Sequence, residues 1–194
     1  MSTPTTAAAF YDCFETAFAG VCDDLPKLRR SAGPIPEWRY PIAAGSLSFA
    51  FVTSARGASL WPHMPGEFRL VLTWRADARR TVAGDDVSLF QYTSARDTAE
   101  YAAHQRRALD KFLLYPGNAK RRELFVYAND PAWLPSATDE EWCYYFDAED
   151  IHAWAEWYRR VLPRWLDGFV QTPESRTGWA IRAMQSRRDS QVGA

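Results

Sequence analysis

The residues with the most chemical potential in this chain lie in the stretch Trp61-Pro-His-Met-Pro-Gly-Glu67. His63 and Glu67, joined by His104, would supply two imidazole nitrogens and one carboxylate. That is the donor set of an open metal site that lowers the pKa of a bound water and drives hydrolysis. The spacing is not a ligand signature, and Pro62 and Pro65 equally stiffen an ordinary turn. Asp85 and Asp86 precede a strand-like run in the manner of a metal-dependent nuclease hairpin. The acid-x-Lys step of such a hairpin is missing, because Gln91 is followed by Tyr92 and Thr93. Glycine-rich phosphate loops and the G-x-S-x-G elbow are absent from the sequence, and a nucleophile relay would have to use one of three histidines, His63, His104 or His152.

A second kind of chemistry is recognition. From Asp139 to Asp150 the chain carries six acids (Asp139, Glu140, Glu141, Asp147, Glu149, Asp150) and no base, interleaved with Trp142, Tyr144, Tyr145 and Phe146. Acids with embedded rings make a surface suited to a basic protein partner. Between His104 and Arg122 six bases (Arg106, Arg107, Lys111, Lys120, Arg121, Arg122) face the single acid Asp110. This run would bind phosphate or answer the acidic segment across the fold. Both runs also match helix ends, where acids suit the start and bases the finish. Trp157, beside Glu156 and off the centre of its helix stripe, is a further candidate anchor if exposed.

These groups need elements to position them. Ala7, Phe10, Phe14, Phe18, Val21 and Leu25 recur at helical spacing, which predicts a helix from Thr5 to about Arg30. Ser31-Ala-Gly-Pro-Ile-Pro ends it. Three strand candidates follow, Ser46 to Thr53, Glu67 to Trp74 and Val87 to Tyr92. In the second, Phe68, Leu70, Leu72 and Trp74 alternate with Arg69, Val71 and Thr73 at period two. Ser94 with Asp97 predicts a capped helix start, and Tyr101, Gln105, Ala108, Leu109 and Phe112 mark its buried face up to Tyr115. Strands are expected over Glu123 to Tyr127 and Glu141 to Phe146. A long helix beginning at Asp147 carries Ile151, Trp154, Tyr158, Leu162, Trp165 and Phe169 on one stripe, with Pro163 predicting a kink near Arg159 or a break. A short helix is expected around Trp179 to Met184.

The order α-β-β-β-α-β-β-α implies an α+β fold, with a mainly antiparallel sheet of about five strands and three main helices packed on it. Residues 1–185 are expected to form one domain, and residues 186–194 a flexible tail. The 23 basic and 24 acidic residues nearly cancel, so bulk charge argues against a nucleic-acid surface. Three widely spaced cysteines, Cys13, Cys22 and Cys143, suit reduced thiols in the cytoplasm better than a disulfide framework. A signal peptide and a membrane span are not expected, nor is a cofactor. The function expected is therefore binding of another protein with a basic surface, in the adaptor, chaperone or immunity manner. The contact would use Asp139, Glu140, Glu141, Trp142, Tyr144 and Trp157. The alternative is a metal-dependent hydrolase or nuclease centred on His63, Glu67 and His104.

Overall fold

The first helix, α1 (Ala7–Phe18), is built on phenylalanines four residues apart, so that Phe10, Phe14 and Phe18 form one fully buried ridge. The structure is a computed structural model and describes residues 7–21, 25–26, 28–32, 37–42, 45–53, 66–77, 80–83, 93–115 and 142–171. The regular helix ends well before Arg30, at a turn over Ala19 and Gly20. Gly20 lies against the Arg159 guanidinium, and a side chain there would collide with it.

The sheet is antiparallel throughout. In chain order its strands are β1 (Arg29–Ser31), β2 (Glu37–Ile42), β3 (Gly45–Thr53), β4 (Gly66–Asp77), β5 (Arg80–Ala83) and β6 (Cys143–Tyr145). The first five pair in sequence, and β6 returns to pair with β4. One edge of β4 is occupied by β3, with Phe51 opposite Leu70 and Thr53 opposite Phe68. The other edge is shared, β6 pairing with Gly66 to Phe68 and β5 with residues from Thr73 to Asp77. Among the described residues the sheet therefore has six strands but is five positions wide.

Two long helices complete the described chain, α2 (Ala95–Leu114) and α3 (Ala148–Gln171). This is the expected α+β class, three helices with an antiparallel sheet. Strands β1, β2 and β5 come in addition to those expected, and Arg29 and Arg30 are strand residues where the helix was expected to end. Of the kink or break expected in α3, the break does not occur, since the helix runs through Pro163. Proline removes one backbone donor at a cost of about 3 kcal/mol in a helix interior. The buried neighbours Val161, Leu162, Trp165 and Leu166 hold the helix together across it. The segments Val87 to Tyr92, Glu123 to Tyr127, Trp179 to Met184 and 186–194 lie outside the described residues.

The core lies where α1 and α3 meet one face of the sheet. Phe14 approaches Phe51 to 4.3 Å between ring centroids, and Tyr158 reaches Phe51 at 5.0 Å from the α3 side. Phe10 packs on Phe68 and Tyr145, both at 4.9 Å, and Phe18 on Trp38 at 4.9 Å. Most of these contacts are tilted or edge-on, the geometries that aromatic quadrupoles favour. Among the described residues no helix is long and apolar enough to cross a membrane.

Candidate functional site

Both helices that frame the acidic-aromatic segment start on acidic caps. At α2, the Asp97 amide donates to Ser94 Oγ at 3.2 Å, and the Ser94 hydroxyl donates back to the Asp97 carboxylate. At α3 two aspartates cap each other's backbone. The Asp150 amide donates to Asp147 Oδ1 at 3.1 Å, while Asp150 Oδ2 accepts from the amides of Phe146 at 2.9 Å and Asp147 at 3.4 Å. Both carboxylates are buried, which is tolerable because backbone donors at a helix start satisfy them.

The two helices run antiparallel and match in charge. The acidic start of α2 meets basic residues of α3, with Arg164 Nη2 at 2.6 Å from Asp97 Oδ2 and Arg160 Nη2 at 2.6 Å from Glu100 Oε2. The basic end of α2 meets the acidic start of α3. Arg107 Nε lies 3.0 Å from Asp150 Oδ1, and Lys111 Nζ lies 2.9 Å from Asp147, 2.9 Å from Glu149 and 3.0 Å from Asp150. Burial alone would lower the Lys111 pKa, but the three carboxylates outweigh it and hold the ammonium above the usual lysine range. At Asp97 burial is likewise opposed, by the bonds from Ser94 and Arg164, and the carboxyl sits below its ordinary value. Arg107 and Lys111 thus answer the acidic segment across the fold, engaging the buried Asp147 and Asp150 and the exposed Glu149.

Between the helices, β6 is finished by side chains instead of another strand. The Tyr144 amide donates to Gln105 Oε1 at 2.7 Å, and Gln105 Nε2 donates to the Trp142 carbonyl at 2.7 Å. The Trp154 indole donates to the Tyr144 carbonyl at 2.7 Å. Gln105 Nε2 also lies 3.0 Å from Tyr101 Oη, and the Cys143 thiol lies 3.7 Å from Tyr101 Oη and 3.2 Å from Tyr158 Oη. A polar thread thus crosses the core beneath β6. On the opposite side the Arg69 guanidinium sits 5.1 Å from the centre of the Trp142 ring. Residue 68 pairs with 143, so Arg69 of β4 and Trp142 are neighbours on the same face.

Of the residues expected to bind a partner, Trp142 and Tyr144 are partly buried and adjoin each other on either side of Cys143. Asp139, Glu140 and Glu141 lie outside the described residues. Trp157 corrects the expectation of an exposed anchor, because its side chain is fully buried. Its indole donates to the Asp97 carbonyl at 3.1 Å and its ring packs against Tyr101, Tyr158 and Trp165. The reason is that α3 is flanked by both α1 and α2, so it buries a wider arc than one stripe.

Of the alternative metal residues, His63 lies outside the described residues, and Glu67 stands in β4 opposite Tyr144. His104 turns instead into the contact of α2 with α3, its ring 5.0 Å from that of Trp154. Among the described residues no three histidine, cysteine or carboxylate side chains gather as metal ligands would. The pairing of Arg69 with Trp142 was not foreseen from sequence, although the alternation in β4 already set Arg69 on the face away from Phe68. Comparison with protein-family models, with curated proteins and with solved structures finds no match to this chain.

Proposed function

We propose that this chain is a protein-recognition module whose contact face centres on Trp142 and Tyr144, with Asp139, Glu140 and Glu141 immediately before them. The observation that carries this reading is the standing of Trp142. Among the tryptophan side chains the structure describes, Trp38, Trp154, Trp157 and Trp165 belong to the core, and Trp142 alone does not. Its ring is instead covered by Arg69. Trp, Tyr and Arg are the residues most enriched at interface hot spots. Neighbouring acids would speed association with a basic partner and discriminate against acidic ones.

The test is affinity capture from the source lysate, followed by calorimetric titration of the captured protein against wild type, Trp142→Ala and the double variant Glu140→Lys/Glu141→Lys. A hot spot of about 2 kcal/mol or more corresponds to weakening by roughly thirtyfold or more for Trp142→Ala. Charge reversal should slow association, most of all at low salt. Unchanged affinity in both variants would refute the reading.

A further inference from the structure

We propose that the contact between α2 and α3 is an acid-released latch, keyed by protonation of His104. The inference does not depend on the recognition reading. His104 lies midway along α2, between the pairs formed by Asp97 and Glu100 on one side and those formed by Arg107 and Lys111 on the other. Those pairs join carboxylates to strong bases and stay ionised down to about pH 4. The imidazole is the member of this series whose charge changes between about pH 5 and 8.

Its surroundings are arranged for a neutral ring. The side chain is only 13% exposed and packs on Trp154. Nε2 is buried without a hydrogen-bond partner, and the nearest carboxylate oxygen, Glu100 Oε1, is 3.7 Å away, beyond bonding distance. The charged groups facing it are Glu100 and Arg107 on α2 and Asp150 and Arg160 on α3. Both carboxylates are already engaged, Glu100 by Arg160 at 2.6 Å and Asp150 by Arg107 and Lys111 at 3.0 Å each. The third neighbouring element, β6, consists of Cys143, Tyr144 and Tyr145 and brings no carboxylate, lysine or arginine. Burial first, and then Arg107, hold the imidazole below its ordinary value.

The sign follows from linkage. With a value lower when folded than when released, His104 contributes stability that is complete above its unfolded value of 6.5 and is lost as pH falls below it. Release of α2 would withdraw Gln105 from β6, uncovering the backbone of Trp142 and Tyr144 together with the Trp154 and Trp157 rings.

The experiment is amide hydrogen exchange of α2 at about pH 7 and about pH 5.5, corrected for intrinsic rates, combined with NMR titration of the histidine ring protons. For an imidazole that titrates near 6.5 when released, the population of the open state should rise toward a ceiling of about eightfold between these two conditions. His104→Gln should abolish the rise, and His152→Gln, at an exposed position on α3, should preserve it. The His104 ring should titrate below the ordinary histidine value. Opening that does not change with pH in the wild type, a rise that persists in His104→Gln, or a His104 ring titrating at or above the ordinary value would each overturn the proposal. If His104→Gln does not fold, the wild-type exchange and ring titration decide alone.

Discussion

Gln105 acts toward Tyr144 as an adjacent strand would: its amide oxygen accepts the Tyr144 N–H while its amide nitrogen donates to the carbonyl two residues earlier. A sheet edge normally exposes such groups to water or to another chain, and here one helical side chain saturates them. Gln105→Leu would keep the volume and remove both bonds from partly buried backbone groups. It should destabilise the fold by about 1–3 kcal/mol in urea denaturation. The midpoint should fall with little change in slope, because the folded surface is otherwise unchanged.

Lys111 neutralises three carboxylates at once, two of them on buried residues. Lys111→Met removes the charge and keeps the length of the side chain. Breaking a largely buried pair from one side leaves uncompensated charge, so a loss of about 2–4 kcal/mol is expected at neutral pH. Because the Lys111 value is raised on folding, its contribution is complete below the unfolded value of 10.5 and disappears as pH rises beyond it. The wild type and Lys111→Met should therefore converge in stability in strongly alkaline buffer.

Asp97 behaves in the opposite sense. Its carboxyl is lowered on folding, so the stabilisation it provides is complete above the unfolded value of 3.8 and is lost as pH falls below it. Asp97→Asn should cost about 1–3 kcal/mol at neutral pH through the weakened bonds to Ser94 and Arg164. Denaturation of both proteins at about pH 7 and about pH 3 should show the difference shrinking in acid.

Trp157 and Trp142 should respond differently to truncation. Trp157→Ala opens a cavity among Tyr101, Tyr158 and Trp165 and should cost about 3–5 kcal/mol. Trp142→Ala removes a partly buried ring and should cost about 1 kcal/mol or less in thermal or chemical denaturation. Its consequence should be read in partner affinity.

The features legible in the sequence were those set by local pattern. The Ser94 and Asp97 cap, the phenylalanine ridge of α1 and the alternation around Phe68 are consequences of three- to four-residue or two-residue spacing. Strand β2 escaped because the prolines around Ile35 drew the reading toward a connection, although Trp38 and Tyr40 already alternate with Glu37 and Arg39. Strand β1 is three residues long and contains two arginines, too short to establish a period. The burial of Trp157 and the pairing of Lys111 with Asp147 depend on which helices become neighbours. That is fixed by tertiary packing over dozens of residues, so Asp147 and Asp150 of the acid run are buried while Glu149 stays exposed.

The meeting of α1 and α3 joins the first described element to the last. During synthesis the Phe10, Phe14 and Phe18 ridge emerges before β3 and β4, which can cover one flank with Phe51 and Phe68. Its packing against α3 must wait until that helix has been made. At about 5–20 residues per second this interval lasts on the order of ten to thirty seconds. The nascent chain thus carries an incompletely covered aromatic seam over that interval. The sequence separation of α1 from α3 makes final closure a late, slow event.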